Sequence, residues 1–204
     1  MIAIVDYGMG NVGSVKNALE FLGATARVSN NQNDLKQASH IILPGVGAFG
    51  DGIKNLKKRG LISVLTHEVF ERKKPFLGIC LGMQLLATVG EEGGTHSGLG
   101  WIPGTVRQFE IDKTKFRVPH MGWNDVSPKP EATLFTDISS RIFYFVHSFI
   151  LVSEEKGSVS ATCEYGEVFI ASIEKGNIFG VQFHPEKSQK SGLKLLTNFL
   201  HLRA

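Results

Sequence analysis

A cysteine stands where an apolar run meets a helix-like stretch. Cys80 lies in Gly78–Gly82 (GICLG), directly after the apolar residues 75–77 and directly before the helix-like residues 83–87. Glycines on both sides allow a strand to turn sharply into a helix without a clash of Cβ atoms. The positive end of that helix favours the thiolate, the nucleophilic form of cysteine. The pattern predicts a nucleophilic thiol, whereas a lone buried cysteine would only fill space in a core.

A histidine and a carboxylate two residues apart supply what a nucleophilic thiol needs. His184 follows a predicted strand, and Glu186 comes after the intervening Pro185. Residues i and i+2 of an extended chain point to the same side, so Glu186 can accept a hydrogen bond from one imidazole nitrogen and leave the other for the thiol. Cys80, His184 and Glu186 are therefore predicted to form a Cys-His-acid triad. The remaining histidines are interpreted as structural or surface residues or are left without a role: His40, His67, His96, His201, His120 and His147.

Such chemistry also needs donors for the oxyanion of a tetrahedral intermediate. The N–H of Leu81 is free because it is the first residue of the predicted helix. A second N–H is expected from the glycine-rich segment 44–50, which follows the third predicted strand, at Val46 or Gly47.

The same glycines suggest a different class of protein, a Rossmann-type nucleotide-binding protein. Segments 8–13 and 45–50 both match G-x-G-x-x-G, and the first of them follows a strand and opens a helix. The end of the second strand (VSNN, 28–31) lacks the acid that would bind a ribose, and the next acid is Asp34. We therefore favour tight turns over a dinucleotide site for both segments.

The elements that position these residues indicate an α/β fold. Apolar strands are predicted at 2–5, 25–28, 40–43 and 76–79. Amphipathic helices are predicted at 15–22, at 48–71 with a break near Gly60, and at 81–88. This alternation is typical of a mostly parallel central sheet flanked by helices.

From residue 104 the strands become shorter and alternate in polarity. They are predicted at 106–109, 142–149, 159–165, 168–174 and 178–183, ahead of a last helix from about Ser191. This indicates an appended antiparallel portion in the C-terminal half. We expect one domain over residues 1–204.

Composition excludes several classes of protein. The 42% hydrophobic and 20% charged fractions are ordinary for a globular domain, and the net charge of +3 comes without a long basic run, so no nucleic-acid partner is expected. The most apolar stretch, 142–152, is short and interrupted by polar residues, and the N-terminus does not resemble a signal peptide. Two cysteines make no disulfide framework. A cytoplasmic protein without a membrane partner is expected.

The chain resembles the class I (triad) glutamine amidotransferases, and within them the glutaminase subunits of imidazole glycerol phosphate synthase. The turn at Gly78–Gly82 around Cys80, called the elbow, and the FHPE segment 183–186 carry the wider resemblance, which extends over almost the whole chain. Four further segments narrow it: DYGMGN (6–11), PGVGAF (44–49), PHMGWN (119–124) and YFVHS (144–148). The resemblance implies a flavodoxin-like fold of this class.

The resemblance also implies a reaction without a cofactor or metal. Cys80 would attack the carboxamide of L-glutamine, forming a thioester and releasing ammonia, with His184 as base and acid and Glu186 holding it. Leu81 and the 45–47 loop would bind the oxyanion. Gly45, Gln84 and Ser148 would bind the substrate.

A partner is implied as well: a (β/α)₈-barrel cyclase that forms a heterodimer with the glutaminase, receives the ammonia and makes imidazole glycerol phosphate and aminoimidazole carboxamide ribotide in histidine biosynthesis. Five residues are the expected docking face: Asn11, Met121, Trp123, Tyr144 and Lys187. Core packing would equally explain Trp123 and Tyr144, and Met121 could also fill a gap in a core. The triad is also compatible with a thiol peptidase on the same fold, and with a paralogous glutaminase that supplies ammonia for the amidation of a sugar in a surface-polysaccharide pathway.

Overall fold

The computed structural model describes residues 1–203, and its first part alternates strands and helices as predicted. Each strand is a short apolar run, and the helices between them present an apolar face to the sheet. These elements are β1 (Ile2–Val5), α1 (Val12–Phe21), β2 (Ala26–Ser29), α2 (Gln32–Gln37), β3 (His40–Gly45), α3 (Phe49–Lys58), α4 (Leu61–Thr66), β4 (Phe76–Cys80) and α5 (Leu81–Gln84). The predicted break near Gly60 is confirmed, since Gly60 has φ +64° between α3 and α4. Helix α4 continues into a π-helical turn at His67–Glu71.

The rest of the chain is mainly strands, with one closing helix. The elements are β5 (Ala87–Gly90), β6 (His96–Ser97), β7 (Ile102–Gln108), β8 (His120–Pro128), β9 (Ile142–His147), β10 (Phe149–Ser153), β11 (Val159–Tyr165), β12 (Glu167–Lys175), β13 (Ile178–Val181) and α6 (Gln189–Leu200). The predicted strands 159–165 and 168–174 form the antiparallel pair β11 and β12, which turns at Gly166 with φ +72°.

The nine-stranded main sheet joins a parallel half to an antiparallel half. Its order is β2-β1-β3-β4-β13-β12-β11-β8-β9, and the first five of these strands run parallel. The other four are antiparallel to their neighbours. This is the α/β sheet with an appended antiparallel portion that the sequence predicts. A second sheet, β10-β7-β5-β6, lies beside it.

Two hydrophobic clusters cover the two faces of the main sheet. One contains Ile4, Leu77 and Phe199, and the other contains Val5, Phe76 and Leu86. Neighbouring strand residues thus enter opposite clusters, as the alternation of side chains along a strand requires. None of the helices within residues 1–203 is long and apolar enough to cross a membrane.

The helix after Cys80 is shorter than predicted. It ends at Gln84 instead of Thr88, and Ala87–Gly90 forms strand β5. The carbonyls of Leu85 and Leu86 accept hydrogen bonds from the N–H groups of residues 99, 101 and 102, at 2.9–3.0 Å. Because these long-range bonds take the carbonyls that a longer helix would use, the chain leaves the helix there.

The strand predicted over residues 142–149 is two strands of different sheets. Strand β9 ends at His147 in the main sheet, and β10 begins at Phe149 and pairs with β7. Ser148 is the junction between them. The prediction also missed α2, whose cap is the Asn31 side chain accepting from the Asn33 N–H, and the long strand β8.

Candidate active site

The turn at Cys80 is as sharp as the glycine pattern requires. Cys80 has φ +53° and ψ −110°, a conformation that L-residues rarely adopt. A Cβ on Gly78 would lie 2.6 Å from the carbonyl oxygen of Gly82, and one on Gly82 would overlap the carbonyl oxygen of Leu43. Glycines at both positions therefore let strand β4 turn into α5 while β3 stays close beside it.

Three neighbouring parallel strands bring the predicted residues to one edge of the sheet. Strands β3, β4 and β13 are adjacent, with Gly45 opposite Cys80 and Val181 opposite Ile79. The loop at Val46, the elbow at Cys80 and the segment leading to His184 all leave the sheet at its carboxyl edge. Open α/β sheets place their sites at this edge.

His184 and Glu186 form a buried pair beside the elbow. His184 Nδ1 donates to Glu186 Oε1 at 2.8 Å, and each side chain is only 1% exposed. Within residues 1–203, His184 Nε2 has no hydrogen-bond partner and is available to the thiol. Burial lowers the pKa of His184, but the neighbouring Cys80 sulfur and Glu186 carboxylate outweigh it and raise this pKa above the ordinary value of 6.5. The site thus favours the protonated, imidazolium form of His184 next to the Cys80 sulfur.

A cavity of about 340 Å³ opens in front of Cys80. The predicted oxyanion donors Val46, Gly47 and Leu81 all line it, as do the predicted substrate residues Gln84 and Ser148. Leu81 begins α5, so its N–H has no acceptor within the helix. Gly47 has φ +105°, which favours glycine. The cavity therefore brings the Cys80 thiol, the start of α5 and the loop predicted to supply the second donor together.

Gly45 lies just before this loop, and the packing around it explains why a residue without a side chain stands there. A Cβ there would overlap the hydroxyl oxygen of Tyr7, which is completely buried. Burial raises the pKa of Tyr7, so its hydroxyl stays protonated. The absence of a side chain on Gly45 lets Tyr7 pack against the strand beside the elbow.

Two polar residues of the site could not be recognised as such from the motifs. Glu92 lines the cavity, and its carboxylate accepts the Phe49 N–H at 2.7 Å at the start of α3. Gln182 lies two residues before His184, and its side chain contacts both Cys80 and Gln84. The i, i+2 rule applied backward from His184 points to Gln182, whereas no local signal marks Glu92.

The glycine motifs pack against each other. A Cβ on Gly10 would overlap the side chain of Val46, so the 8–13 turn supports the 45–50 loop. Asp34, the first acid after β2, accepts hydrogen bonds from Arg27 and Ser29 at 2.7 and 2.6 Å. The turns have a structural explanation, and neither of them favours a dinucleotide.

The sequence model of the class-I glutamine amidotransferase family matches residues 3–202, nearly the whole chain. The chain belongs to this family. Its resemblance to the class, inferred from the elbow and the FHPE segment, is confirmed.

Curated relatives place this amidotransferase among the HisH subunits of imidazole glycerol phosphate synthase. It is 46% identical to subunit HisH 2 of Pseudomonas aeruginosa over 203 residues, 99% of this chain and 100% of the relative. It is 48% identical to subunit HisH 1 of Campylobacter jejuni strain RM1221, with the same coverage. Subunit HisH of Moorella thermoacetica is 50% identical over 97% of this chain and 93% of its own.

Solved structures agree on the fold. A protein described as a glutamine amidotransferase superposes with a TM-score of 0.77 at 20% identity, covering 98% of this chain and 97% of the other. A chain of the PurLQS structure from Thermotoga maritima gives a TM-score of 0.72 at 23% identity, covering 98% and 96%. At such identities the likeness concerns the fold alone.

Asn11, expected on a docking face, contacts the triad of this amidotransferase directly. Its side-chain N–H donates to Glu186 Oε1 at 2.6 Å, the same oxygen that accepts from His184. Asn11 adopts a left-handed conformation at the start of α1, which aims its short side chain back at the FHPE segment. The Glu186 carboxylate is thus held from two sides.

The other four expected docking residues form a patch at the edge of the main sheet, called the β8–β9 patch. It consists of Met121, Trp123, Tyr144 and Lys187. Met121 is 62% exposed and Trp123 48%, which argues against core packing for these two. The Trp123 and Tyr144 rings meet edge to face at 5.9 Å, and Lys187 Nζ lies 5.8 Å from the Tyr144 ring centre. The Tyr144 carbonyl accepts the His184 N–H at 2.9 Å, so the patch adjoins the triad.

A buried histidine pair, His120 and His147, connects β8 and β9, and His147 lines the cavity. His147 Nδ1 contacts the Phe149 carbonyl at 2.9 Å, and because a carbonyl only accepts, Nδ1 carries the proton. His147 Nε2 therefore accepts from His120 Nδ1, 3.1 Å away, and His120 Nε2 faces the Asn124 amide at 3.3 Å. Burial lowers the pKa of His120 to about 4 and that of His147 to about 3. Both rings are neutral in the fold.

The lowered pKa values of His120 and His147 should make the free energy of unfolding depend on pH. Both pKa values are lower in the fold than the ordinary 6.5, so the unfolded chain takes up protons first as the pH falls. The stabilisation is complete above pH 6.5 and decreases as the pH drops towards 4, by about 1.4 kcal/mol per pH unit for each proton. Urea unfolding at several pH values between 7.5 and 4.5 measures it. His120→Gln/His147→Gln should show a shallower slope, and the exposed His201→Gln should not; an unchanged slope in the double variant would contradict the assignment.

Proposed function

We propose that this chain hydrolyses L-glutamine to L-glutamate and ammonia through a thioester on Cys80, as the glutaminase subunit of imidazole glycerol phosphate synthase. The observation that carries the proposal is Cys80 on a strained elbow, next to a buried His184–Glu186 pair and open to an amino-acid-sized cavity. Family membership over residues 3–202 supports the same activity. We treat residues 1–204 as a single amidotransferase domain.

In the first half-reaction the Cys80 sulfur attacks the carboxamide carbon. His184 holds the thiol proton on Nε2, and Glu186 stabilises the imidazolium through Nδ1. Negative charge develops on the carboxamide oxygen, where the N–H of Leu81 and an N–H of Val46 or Gly47 stabilise it. His184 then donates its proton to the leaving nitrogen, and ammonia departs from a γ-glutamyl thioester.

In the second half-reaction water attacks the thioester. His184 Nε2 removes a proton from the water, and the same backbone donors stabilise the second tetrahedral intermediate. Collapse of the intermediate breaks the C–S bond, releases glutamate and restores the thiolate next to the imidazolium. Neither half-reaction needs a group from outside the chain other than water.

The cavity offers complementary groups for the amino-acid end of glutamine. The Glu92 carboxylate suits the α-ammonium, and it is the one acidic side chain among the residues that line the cavity. Gln84 and the loop at Ser148 supply further polar groups there, and Gly45 stands directly before the loop that lines the cavity. We assign substrate binding to these four residues.

Glu92→Gln should weaken glutamine binding more than chemistry. The amide keeps an oxygen that can accept the Phe49 N–H, but it loses the charge facing the ammonium. The KM for glutamine should rise about ten-fold or more, with a smaller effect on kcat. Steady-state kinetics with cyclase present measures both, and Glu91→Gln, a change at the exposed neighbouring carboxylate, is the matched control. Equal KM values for the two variants would contradict the role of Glu92.

We propose that the partner is a (β/α)₈-barrel cyclase that forms a heterodimer through the β8–β9 patch. Ammonia released into water is protonated and loses its nucleophilicity, so a glutaminase needs an acceptor at its site. The names of the relatives call them subunits of a synthase, which supports a complex. Exposed Met121 and Trp123 next to the triad are the kind of apolar and aromatic side chains that anchor interfaces.

We further propose that the protein works in the cytoplasm, since a nucleophilic thiol needs a reducing compartment.

The test of this proposal is glutamate release from L-glutamine by the chain alone and with a cognate cyclase loaded with its ribotide substrate. We expect weak turnover alone and strong stimulation in the complex, together with formation of imidazole glycerol phosphate. Glutamate release at the same rate with and without the loaded cyclase would contradict the assigned partner. The chain would then be a glutaminase that supplies ammonia to another acceptor. Absence of turnover in every condition would overturn the proposed activity.

A further inference from the structure

Gln182 places a fully buried amide against two residues that line the cavity, Cys80 and Gln84. The residue follows β13, its side chain is 0% exposed, and its own N–H donates to the Ala171 carbonyl at 2.9 Å. A buried amide is costly unless its polar atoms find partners. The partners of this one are Cys80 and Gln84.

The direction of this small network is fixed by one backbone carbonyl. Gln84 Nε2 lies 2.9 Å from the Phe149 carbonyl oxygen, which can only accept, so the NH₂ end of Gln84 faces Phe149. The same Nε2 lies 3.0 Å from Gln182, so Gln182 must present its oxygen Oε1 there. The NH₂ end of Gln182 then faces Cys80 Sγ, at 3.7 Å. The amides thus form a one-way chain of donors that ends on the sulfur.

We propose that Gln182 is a positioning residue with two separable effects. Its NH₂ group donates to the Cys80 sulfur and favours the thiolate, because a hydrogen bond to a charged acceptor is stronger than one to a neutral acceptor. Its carbonyl holds the second hydrogen of Gln84, so the carbonyl oxygen of Gln84 is the atom left for the ligand. The inference rests on the proposed function, in which Cys80 attacks glutamine and Gln84 contacts it.

Two readouts separate these effects. The first is the rate at which iodoacetamide alkylates Cys80 at neutral pH, measured on the isolated chain in a Cys163→Ala background by mass spectrometry. The second is the KM for glutamine, measured with the cyclase present. Gln182→Met removes both polar contacts at similar volume, and Gln182→Asn keeps an amide that is one methylene too short to serve both neighbours. Thermal unfolding shows whether each variant folds. If Gln182→Met does not fold, the same two readouts are taken from Gln182→Asn, and the reverse.

The expected results differ between Gln182 and Gln84. Gln182→Met should slow alkylation about ten-fold or more and raise the KM. Gln84→Met should raise the KM and leave the alkylation rate near that of the parent. If Gln182 acts on the substrate through Gln84, the double variant should have the KM of Gln84→Met alone. A merely structural role would not produce this split.

If folded Gln182 variants are alkylated at the rate of the parent, Gln182 has no effect on the Cys80 sulfur and that part of the proposal is wrong. If the KM changes of Gln182→Met and Gln84→Met add in the double variant, Gln182 does not act through Gln84 and the other part is wrong. The proposed function fails on a different result: the parent complex would then release no glutamate. Cys80→Ala, which leaves no thiol at this position, verifies that the label reports Cys80.

Discussion

Cys80→Ala should abolish glutamine hydrolysis, with a loss of about 10⁴-fold or more, because it removes the thiol that His184 activates and that forms the acyl intermediate. Cys80→Ser should be nearly as inactive, since a serine hydroxyl is a far weaker acid than a thiol and gives its proton to His184 much less readily. Glutamate release in the presence of the loaded cyclase is the measurement. The complex with Cys80→Ala should still make product from added ammonium salts, because the acceptor site lies on the partner.

The second cysteine supplies the matched control. Cys163 lies in β11, and burial raises its pKa to about 12, so it remains an unreactive thiol. Cys163→Ala should therefore keep the activity of the parent. Loss of activity in Cys163→Ala, or substantial turnover in Cys80→Ala, would contradict the assignment of the nucleophile.

Gly82→Ala should have the largest effect on folding. The new Cβ would overlap the carbonyl oxygen of Leu43, a backbone atom of the neighbouring strand that cannot rotate away. Strand β3 would have to move off the elbow, which we expect to cost more than about 4 kcal/mol of unfolding free energy. Urea unfolding measures this, and any folded fraction should be inactive because the elbow has shifted.

Gly13→Ala is the matched control for that substitution. Gly13 lies in α1, and a Cβ there meets nothing within 4 Å. The change should leave stability equal or raise it by up to about 1 kcal/mol, since alanine favours a helix. Parental stability in Gly82→Ala would show that the strands tolerate a wider separation and would contradict the packing reason for glycine at the elbow.

The parts of the site that are local in sequence could be predicted from it. Glycines at 78 and 82 mark the turn because only backbone sterics are involved, and His184 with Glu186 follows from the two-residue period of extended chain. Continuous apolar runs mark the buried parallel strands, so their edge, and the meeting of Cys80 with His184, could be expected.

The parts of the fold and of the site that depend on contacts between distant residues could not be predicted from the sequence. Helix α5 ends early because the N–H groups of residues 99–102 bind the carbonyls of residues 85–87, and no signal within residues 81–88 shows this. Glu92 reaches the cavity from a turn after β5, a strand that was itself missed. The contact of the Asn11 side chain with Glu186 joins residues 175 positions apart and depends on the left-handed start of α1, so the sequence did not reveal it.

The passage of glutamine through a thioester on Cys80 can be tested directly. The cyclase-bound protein is mixed with radiolabelled L-glutamine, quenched with acid during turnover and digested. The radioactive peptide is isolated, and mass spectrometry identifies it and the group attached to it. We expect a γ-glutamyl group on the peptide that contains Cys80, absent from Cys80→Ala. Label on the Cys163 peptide, or rapid turnover with no covalent label at any time after mixing, would contradict the thioester mechanism.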